Sequence, residues 1–435
     1  MVSTIIHSVL LFDGQSVHQD ATVTFDSSTG QITSVSRDKP PFTEGATVID
    51  GRGHTLLPGL IDSHMHAFYH GLPPDAPEEI ILQQPIKAGV TTVCDMHCDA
   101  ACVERRRAQI ADDLKQAHAG SGRVFVSDLK TSLLGATIKG GWPIPVVLGH
   151  NPTDELKEYV KSWPNVTEDN AEEFIKDHKA RGADYIKLMQ ENCHSLGVPT
   201  DSIPSASLSL QTAIVKAAHA ENFTVVAHAT SLDGTELVLK AGTDGLAHTF
   251  VDQPPTQSVI DLYNKTNAFV IPTFVVLSSG SGENQDLRDK FADIAHTRGL
   301  IDASSKQTKR DFLGTGSSRC TVEYAYETIR RLKVEGIDIL AGTDSIVGLA
   351  GTALGASLWM ELELFVQKCG FTIPEALRSA TYLPAKRLGF DDRGVVAPGK
   401  RADLVLVRGD VTQKLQSLWE GEGIVGVWKL GFKAG

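Results

Sequence analysis

Through the middle of the chain, short apolar runs alternate with longer stretches in which apolar residues recur every three or four positions. The first pattern predicts buried strands and the second predicts helices lying on a sheet. LLPGLIDSHMH reads as a strand, and PEEIILQQPIKAG as a helix ending at Gly89. VTTVCDM is a second strand, followed by the charged helical stretch CVERRRAQIADDLKQAHA and by RVFVSDL. NAEEFIKDHKARG leads into ADYIKLM, SLSLQTAIVKAAHAEN into FTVVAHA, and LDGTELVLKAG into TDGLAH. QSVIDLYNKTN leads into AFVIPTF, and CTVEYAYETIRRLKVEG into IDILAGTD. Such alternation favours a parallel sheet with helical crossovers, and eight repeats predict a closed (β/α)8 TIM barrel in the α/β class. No Gly-x-Gly-x-x-Gly opens a helix after the first strand, which counts against an open dinucleotide-binding sheet.

The ends follow another rhythm. Residues 1–57 and 388–435 read as short strands and turns, in STIIHSVLLFDGQ, DATVTFDSSTGQITSVS, GVVAPGKRADLVLVRGD and EGIVGVWKLGFKAG. The expectation is a small composite β-sandwich built from both termini around a barrel at 58–387. The long segment at about 131–170 and the Gly/Ser-rich LSSGSGENQD after the seventh strand are expected to cover the barrel mouth.

Composition narrows the functional classes. With 435 residues, the chain can bury a large core without a metal or disulfide to hold it together. The net charge of −12 argues against a nucleic-acid partner. No apolar stretch is long enough to span a bilayer, and the start, interrupted by His7 and Asp13, has no basic leader, so a cytoplasmic location is expected. Six cysteines are too sparse for a disulfide scaffold. Cys94, Cys98 and Cys102, with His97 among them, are spaced like a zinc cluster; without an obvious fourth ligand, a structural reading is favoured.

Candidate chemistry begins at the end of the first predicted strand. His64 and His66 are two apart and so share one strand face, from which both imidazoles reach one metal. Alone, a His-x-His is weak evidence. Lys187, His228, His248 and Asp344 occupy equivalent places, at or near the C-terminal ends of further predicted strands. In a parallel barrel that is where catalytic groups converge. Taken singly, Lys187 also reads as half of an ion pair and Asp344 as a turn or helix-cap residue; the shared placement favours a site.

With PGLIDSHMH, AGTDS and LELFVQKCGFTIPEALRSATYLPAKRLG followed by GVVAPGKRADLVLV, the chain resembles the amidohydrolase superfamily over nearly its full length, particularly imidazolonepropionase-like and prolidase-like members. The resemblance implies a barrel flanked by a composite β-sandwich and a binuclear metal centre. In it His64, His66 and Asp344 hold the more buried ion, His228 and His248 hold the second, and Lys187 bridges both as a carbamate. A protonated lysine has no lone pair to offer, so that bridge requires the modification. Zinc is the default metal. The implied reaction is hydrolysis of an amide or peptide-like C–N bond, linear or cyclic, by a metal-bridging hydroxide, with Asp344 as general acid and base. A lactone, a carbamate or another bond, and a non-enzymatic scaffold, are the alternatives, because fold does not select chemistry.

The expected partner is a small-molecule substrate. Oligomers are common among such relatives, although the sequence itself presents no interface. Tyr69, His70, Trp142 and Thr230 are candidate substrate contacts, with Ser231 beside the last. Where many relatives carry Gly-Gly-His-Gly after the third strand, this chain has GGWP, which implies a different substrate or lid. His150, His194 and His219 have no motif support and are assigned surface or core roles.

Overall fold

A computed structural model describes residues 3–38, 45–68, 78–149 and 152–435. Its strands, in chain order, are β1 (Ser3–Phe12), β2 (Val17–Asp26), β3 (Gln31–Ser36), β4 (Thr47–Asp50), β5 (His54–Pro58), β6 (Leu60–Met65), β7 (Val90–Asp95) and β8 (Arg123–Val124). They continue with β9 (Asp128–Thr131), β10 (Ile186–Met189), β11 (Val225–His228), β12 (Gly245–Ala247), β13 (Phe269–Ile271), β14 (Leu404–Arg408), β15 (Ile424–Lys429) and β16 (Phe432–Ala434).

Both ends of the chain enter one mixed sheet, ordered β3-β2-β1-β5-β14-β15-β16-β8, with β4 paired to β1. The seam between the termini is antiparallel, with Leu404 opposite Pro58 and Arg408 opposite His54. Alternating side chains of these strands bury Ile6, Val9, Leu11, Val23, Phe25, Leu404, Leu406 and Trp428 in a core of their own. Phe25 packs edge-on against Trp428, ring centroids 5.8 Å apart.

The middle of the chain forms two parallel sheets, β6-β7-β9 and β10-β11-β12-β13. Apart from β9, in which alternate residues are only partly buried, their strands are buried on both faces, as expected when helices cover a parallel sheet. Three parallel bridges link the remaining neighbours: Ala136 with Leu188, Val270 with Ile339, and Met65 with Ser345. Helices lie between the strands, and several open on a side-chain cap in which Ser207, Ser231, Thr256 or Thr321 accepts a backbone N–H.

Three local expectations change. RVFVSDL is not one strand: Arg123–Val124 joins β16 in the terminal sheet, while Asp128–Thr131 joins β7. The eighth apolar run, IDILAGTD, is held by isolated bridges and single hydrogen bonds, such as Leu340 N–H to Val270 O at 2.9 Å, and forms no continuous ladder. The Gly/Ser-rich stretch after β13 is largely helical, as Phe274–Ser281, and two further helices follow at Gln285–Thr297 and Ala303–Arg310. Apolar residues Phe274, Val275, Leu287, Phe291 and Ala295 bury these helices against the core, which local Gly and Ser content does not reveal. All six cysteines are free thiols. Among the described residues, no helix is long and apolar enough to cross a membrane.

Candidate metal centre

The six residues singled out by position come together. His64 lies near the end of β6 and His66 just past it, Lys187 lies in β10, His228 ends β11, His248 follows β12, and Asp344 ends the eighth apolar run. His64 Nε2 and His66 Nε2 lie 3.1 and 2.9 Å from the same oxygen, Asp344 Oδ1. His248 Nε2 stands 4.0 Å from Asp344 Oδ2. The His248 ring lies between those of His64 and His228, with centroid separations of 4.9 and 4.7 Å.

Backbone strain marks the same place. His248, Thr273 and Asp344 have φ of 79°, 54° and 53°, a left-handed region that β-branched residues in particular avoid. Such outliers persist where surrounding structure fixes them, and they concentrate at functional sites.

The ring tautomers follow from the hydrogen bonds. Thr273 Oγ1 lies 2.7 Å from both Pro272 O and His248 Nδ1; the carbonyl can only accept, so the arrangement that satisfies both contacts has the hydroxyl donating to Pro272 and accepting the ring N–H. The lone pair of His248 therefore sits on Nε2, the nitrogen facing Asp344. His228 Nε2 lies 3.0 Å from Glu191 Oε2. The Glu191 carboxylate also accepts the Thr230 hydroxyl at 2.6 Å and the Cys193 N–H at 2.7 Å. An ionised carboxylate only accepts, so His228 carries its proton on Nε2 and its lone pair on Nδ1.

Burial dominates the electrostatics. It pushes the His64 imidazole down to about 3, and it holds His228 and His248 below the usual histidine value. These rings are neutral and available as ligands. Burial also lowers Lys187 to about 7, against the opposing pull of Asp344 and Asp95. Its Nζ is enclosed, with no hydrogen-bond partner among the described residues. For Asp344 burial acts upward, but its pairing with His64, followed by His66 and His248, outweighs burial and holds the carboxyl well below its ordinary range.

Beneath the site, Asp62 accepts the backbone N–H of His64 at 3.3 Å and the Thr343 hydroxyl at 2.7 Å, and burial raises it to about 7. Asp95 accepts the Ala67 N–H at 3.0 Å and the Thr131 hydroxyl at 2.8 Å. Trp142 stacks on His228, centroids 5.0 Å apart and planes 21° apart, so it walls the site. Phe68 meets the His66 ring edge-on at 5.6 Å.

Other expected contacts fall differently. The Thr230 hydroxyl is engaged with Glu191 and Ser195. Ser231 caps the helix Leu232–Ala241. Tyr69, His70 and His150 lie outside the described residues. His219 pairs with Asp244 at 2.9 Å on the surface, and His194 lies 3.7 Å from Asp233. Cys98, Asp99 and Cys102 do approach one another within 4.8 Å, without Cys94. Asp99 there caps the helix Ala100–Gln116 and accepts the Tyr159 hydroxyl at 2.9 Å, and Cys102 Sγ donates to Ala67 O at 3.3 Å. Sequence reasoning missed Glu191, Thr273, Asp62 and Asp95. Glu191 had a usable signal, being an acidic residue just past the end of a strand that carries a candidate ligand.

Histidines, a buried lysine and an aspartate are gathered at strand ends, and His64, His66 and Asp344 form a group that could hold a metal ion. The Amidohydrolase family profile matches residues 55–432, so the chain belongs to the amidohydrolase family and is a hydrolytic enzyme. It is 26% identical to an imidazolonepropionase from Streptomyces griseus over 89% of this chain and 86% of that one. A shorter match, to an imidazolonepropionase from Deinococcus deserti, is 35% identical over 23% of this chain and spans only 25% of the relative's length. Among solved structures, phenylurea hydrolase B superposes with a TM-score of 0.75 at 20% identity, covering 99% of this chain and 96% of that one. A Xaa-Pro dipeptidase with methionine bound in its active site gives 0.69 at 23% identity, covering 99% of both chains. At these identities the structural likenesses establish the fold.

Proposed function

We propose that this chain is a metal-dependent hydrolase of an amide or peptide-like C–N bond, with two divalent cations held by His64, His66, Lys187, His228, His248 and Asp344. In this reading the parallel strands and their three bridges form one closed (β/α)8 barrel over residues 58–387. The strands of 1–57 and 388–435 fold beside it as a β-sandwich.

The observation that carries the reading is the state of Lys187. A buried amine with no hydrogen-bond partner is costly. Its pKa of about 7 leaves a large neutral fraction with a free lone pair at physiological pH. That amine can attack carbon dioxide, forming an N–C bond and releasing one proton, and the carbamate offers two anionic oxygens. The donor set fits cations for a second reason. Asp62, Asp95, Glu191 and Asp344 are carboxyls at or just beneath the site, and Lys187 is the one amine among the six. Zinc is the cation that imidazole and carboxylate ligands suit by default.

The chemistry such ions supply when bound is Lewis acidity toward the substrate carbonyl and a water more easily deprotonated near neutral pH. The protein provides the rest. Asp344 accepts the proton of the attacking water and returns it to the leaving nitrogen, so one carboxylate serves as base and then acid. Trp142 and Phe68 offer apolar ring surface beside His228 and His66, which favours a substrate with an apolar or aromatic group flanking the scissile bond.

The structural relatives named as a dipeptidase and a phenylurea hydrolase, with the imidazolonepropionases, define the panel for a test: Xaa-Pro dipeptides, cyclic amides, N-aryl ureas and N-acyl amino acids. The purified chain is expected to contain about two metal ions and to turn over a member of this panel. Asp344→Asn should reduce kcat by about 10²–10⁴-fold, the usual worth of a positioned acid–base group. Undiminished turnover in Asp344→Asn and His64→Ala, or a chain that takes up no metal, would overturn the proposal.

A further inference from the structure

We propose that Glu191 is a positioning residue for the second metal: by fixing the tautomer of His228 it presents Nδ1 as the donor atom and supplies a compensating negative charge. This inference rests on the metal-dependent reading above and adds a residue to it.

Three observations converge. First, the Glu191 side chain is fully buried, and its only ionisable partner among the described residues is His228. A buried carboxylate without a strong cation beside it is expensive, and a chain retains one where a charge on the far side of its partner needs balancing. Second, Glu191 makes a complete set of contacts. Oε2 accepts His228 Nε2–H at 3.0 Å and the Thr230 hydroxyl at 2.6 Å, and Oε1 accepts the Cys193 N–H at 2.7 Å. Both oxygens of the carboxylate are thereby engaged, Oε2 twice and Oε1 once, which holds the group in one orientation toward His228. Third, the edge held by Glu191 and the face held by Trp142 fix the imidazole in two directions, so the nitrogen that keeps the lone pair, Nδ1, is presented in a fixed orientation.

A carboxylate that accepts the distal N–H of a ligating histidine sets its tautomer and raises its basicity. His248 has the weaker version of the same device, a neutral threonine hydroxyl on its Nδ1. The two histidines assigned to the second ion are therefore both fixed from outside, one by a charge and one by a dipole. His64 has no such partner, since its Nδ1 lacks a hydrogen bond. The prediction is asymmetric: loss of Glu191 should weaken one ion and spare the other.

The test is zinc titration of the full chain after chelator stripping and incubation with bicarbonate, read as stoichiometry and two dissociation constants. Glu191→Ala is expected to keep the tighter site and to weaken the other by about 10–100-fold, the usual range for an outer partner of a metal ligand. Glu191→Gln, which retains a neutral acceptor for the Nε2–H, is expected to lose less. Two sites of wild-type affinity in both variants would overturn the inference and leave the metal centre standing. A wild-type chain that binds no zinc would overturn both. Should Glu191→Ala fail to fold, the folded Glu191→Gln decides: unchanged affinity at both sites sinks the idea.

Discussion

Thr273 occupies the N-cap of the helix Phe274–Ser281, but Glu361, from the helix Ala356–Cys369, accepts the N–H groups of Phe274 and Val275, at 2.9 Å each. The hydroxyl of Thr273 is turned to His248 and Pro272. A residue type that ordinarily satisfies its own helix is thus spent on the site, and a carboxyl from elsewhere satisfies the orphan donors.

That substitution carries a pH signature. Burial pushes Glu361 up to about 8, against the two N–H bonds that pull it down. The folded protein therefore holds a proton that the unfolded chain releases near the ordinary glutamate value. The stabilisation is complete below that value and is lost as pH rises toward 8, by an amount on the order of a few kcal/mol. Denaturant unfolding of wild type should show stability falling between pH 5 and 8, and Glu361→Gln should flatten that slope. A variant with the wild-type slope would refute the assignment.

Gly342 is the second position where the site constrains its surroundings. A Cβ there would lie 2.8 Å from the His64 backbone nitrogen and 2.5 Å from Ile271 Cγ2. Neither neighbour can withdraw easily, since both belong to the strand framework. Gly342→Ala should cost about 1–3 kcal/mol through overpacking. It should also displace His64 and so lower kcat more than the stability loss alone accounts for. Thermal unfolding and steady-state kinetics on one preparation separate the two effects.

How much of this was legible beforehand depends on range. His64, His66, Lys187, His228, His248 and Asp344 could be found because each ends or sits within a short apolar run, and strand direction then places them together. Glu191 and Thr273 could not be ranked in the same way. Their roles arise from contacts across 37 and 25 positions of sequence, set by how two loops meet. The split of the third strand at Phe125–Ser127 was hidden for a related reason. RVFVSDL has one apolar pattern, but its halves join different sheets because β16, some three hundred residues later, captures the first. The helix after β13 was hidden by composition, since Ser and Gly propose a loop while burial of Phe274 and Val275 against the core decides otherwise.

Trp142 supplies a prediction about specificity. It stacks on His228 with ring centroids 5.0 Å apart, so one face of the indole lies against the candidate site. Trp142→Phe should keep most of the stacking and change KM by only a few fold. Trp142→Ala should raise KM for substrates bearing an aromatic or apolar flank much more than for small ones, with a smaller fall in kcat. Equal effects on both substrate groups would show that the ring merely packs its loop.

Asp128 joins the parallel strands to the C-terminal segment and makes the most exacting stability prediction. One of its oxygens, Oδ2, accepts Arg393 Nη1 and Arg401 Nη1, each at 2.7 Å. Burial acts upward on this carboxyl, but the charges of Arg401 and Arg393 outweigh it and hold it far below the usual range. A depressed pKa contributes stability that is present above the unfolded-state value and is lost as pH falls through the folded one. At neutral pH the pairing is therefore intact. Asp128→Ala leaves two buried guanidiniums short of a partner, a change that typically costs about 3–5 kcal/mol. Asp392 and Asp403 remain beside them, at 2.8 Å from Arg393 and 3.1 Å from Arg401, so the lower end of that range is expected. Because Asp128 lies in β9 while both arginines follow residue 388, the variant should also loosen the seam between strands and tail. Limited proteolysis should then cut near the C-terminal segment in Asp128→Ala under conditions that leave wild type intact. Asp128→Asn, which keeps the oxygen but not the charge, should fall between the two. A Tm and a cleavage pattern identical to wild type in both variants would show that the three-residue cluster holds nothing together.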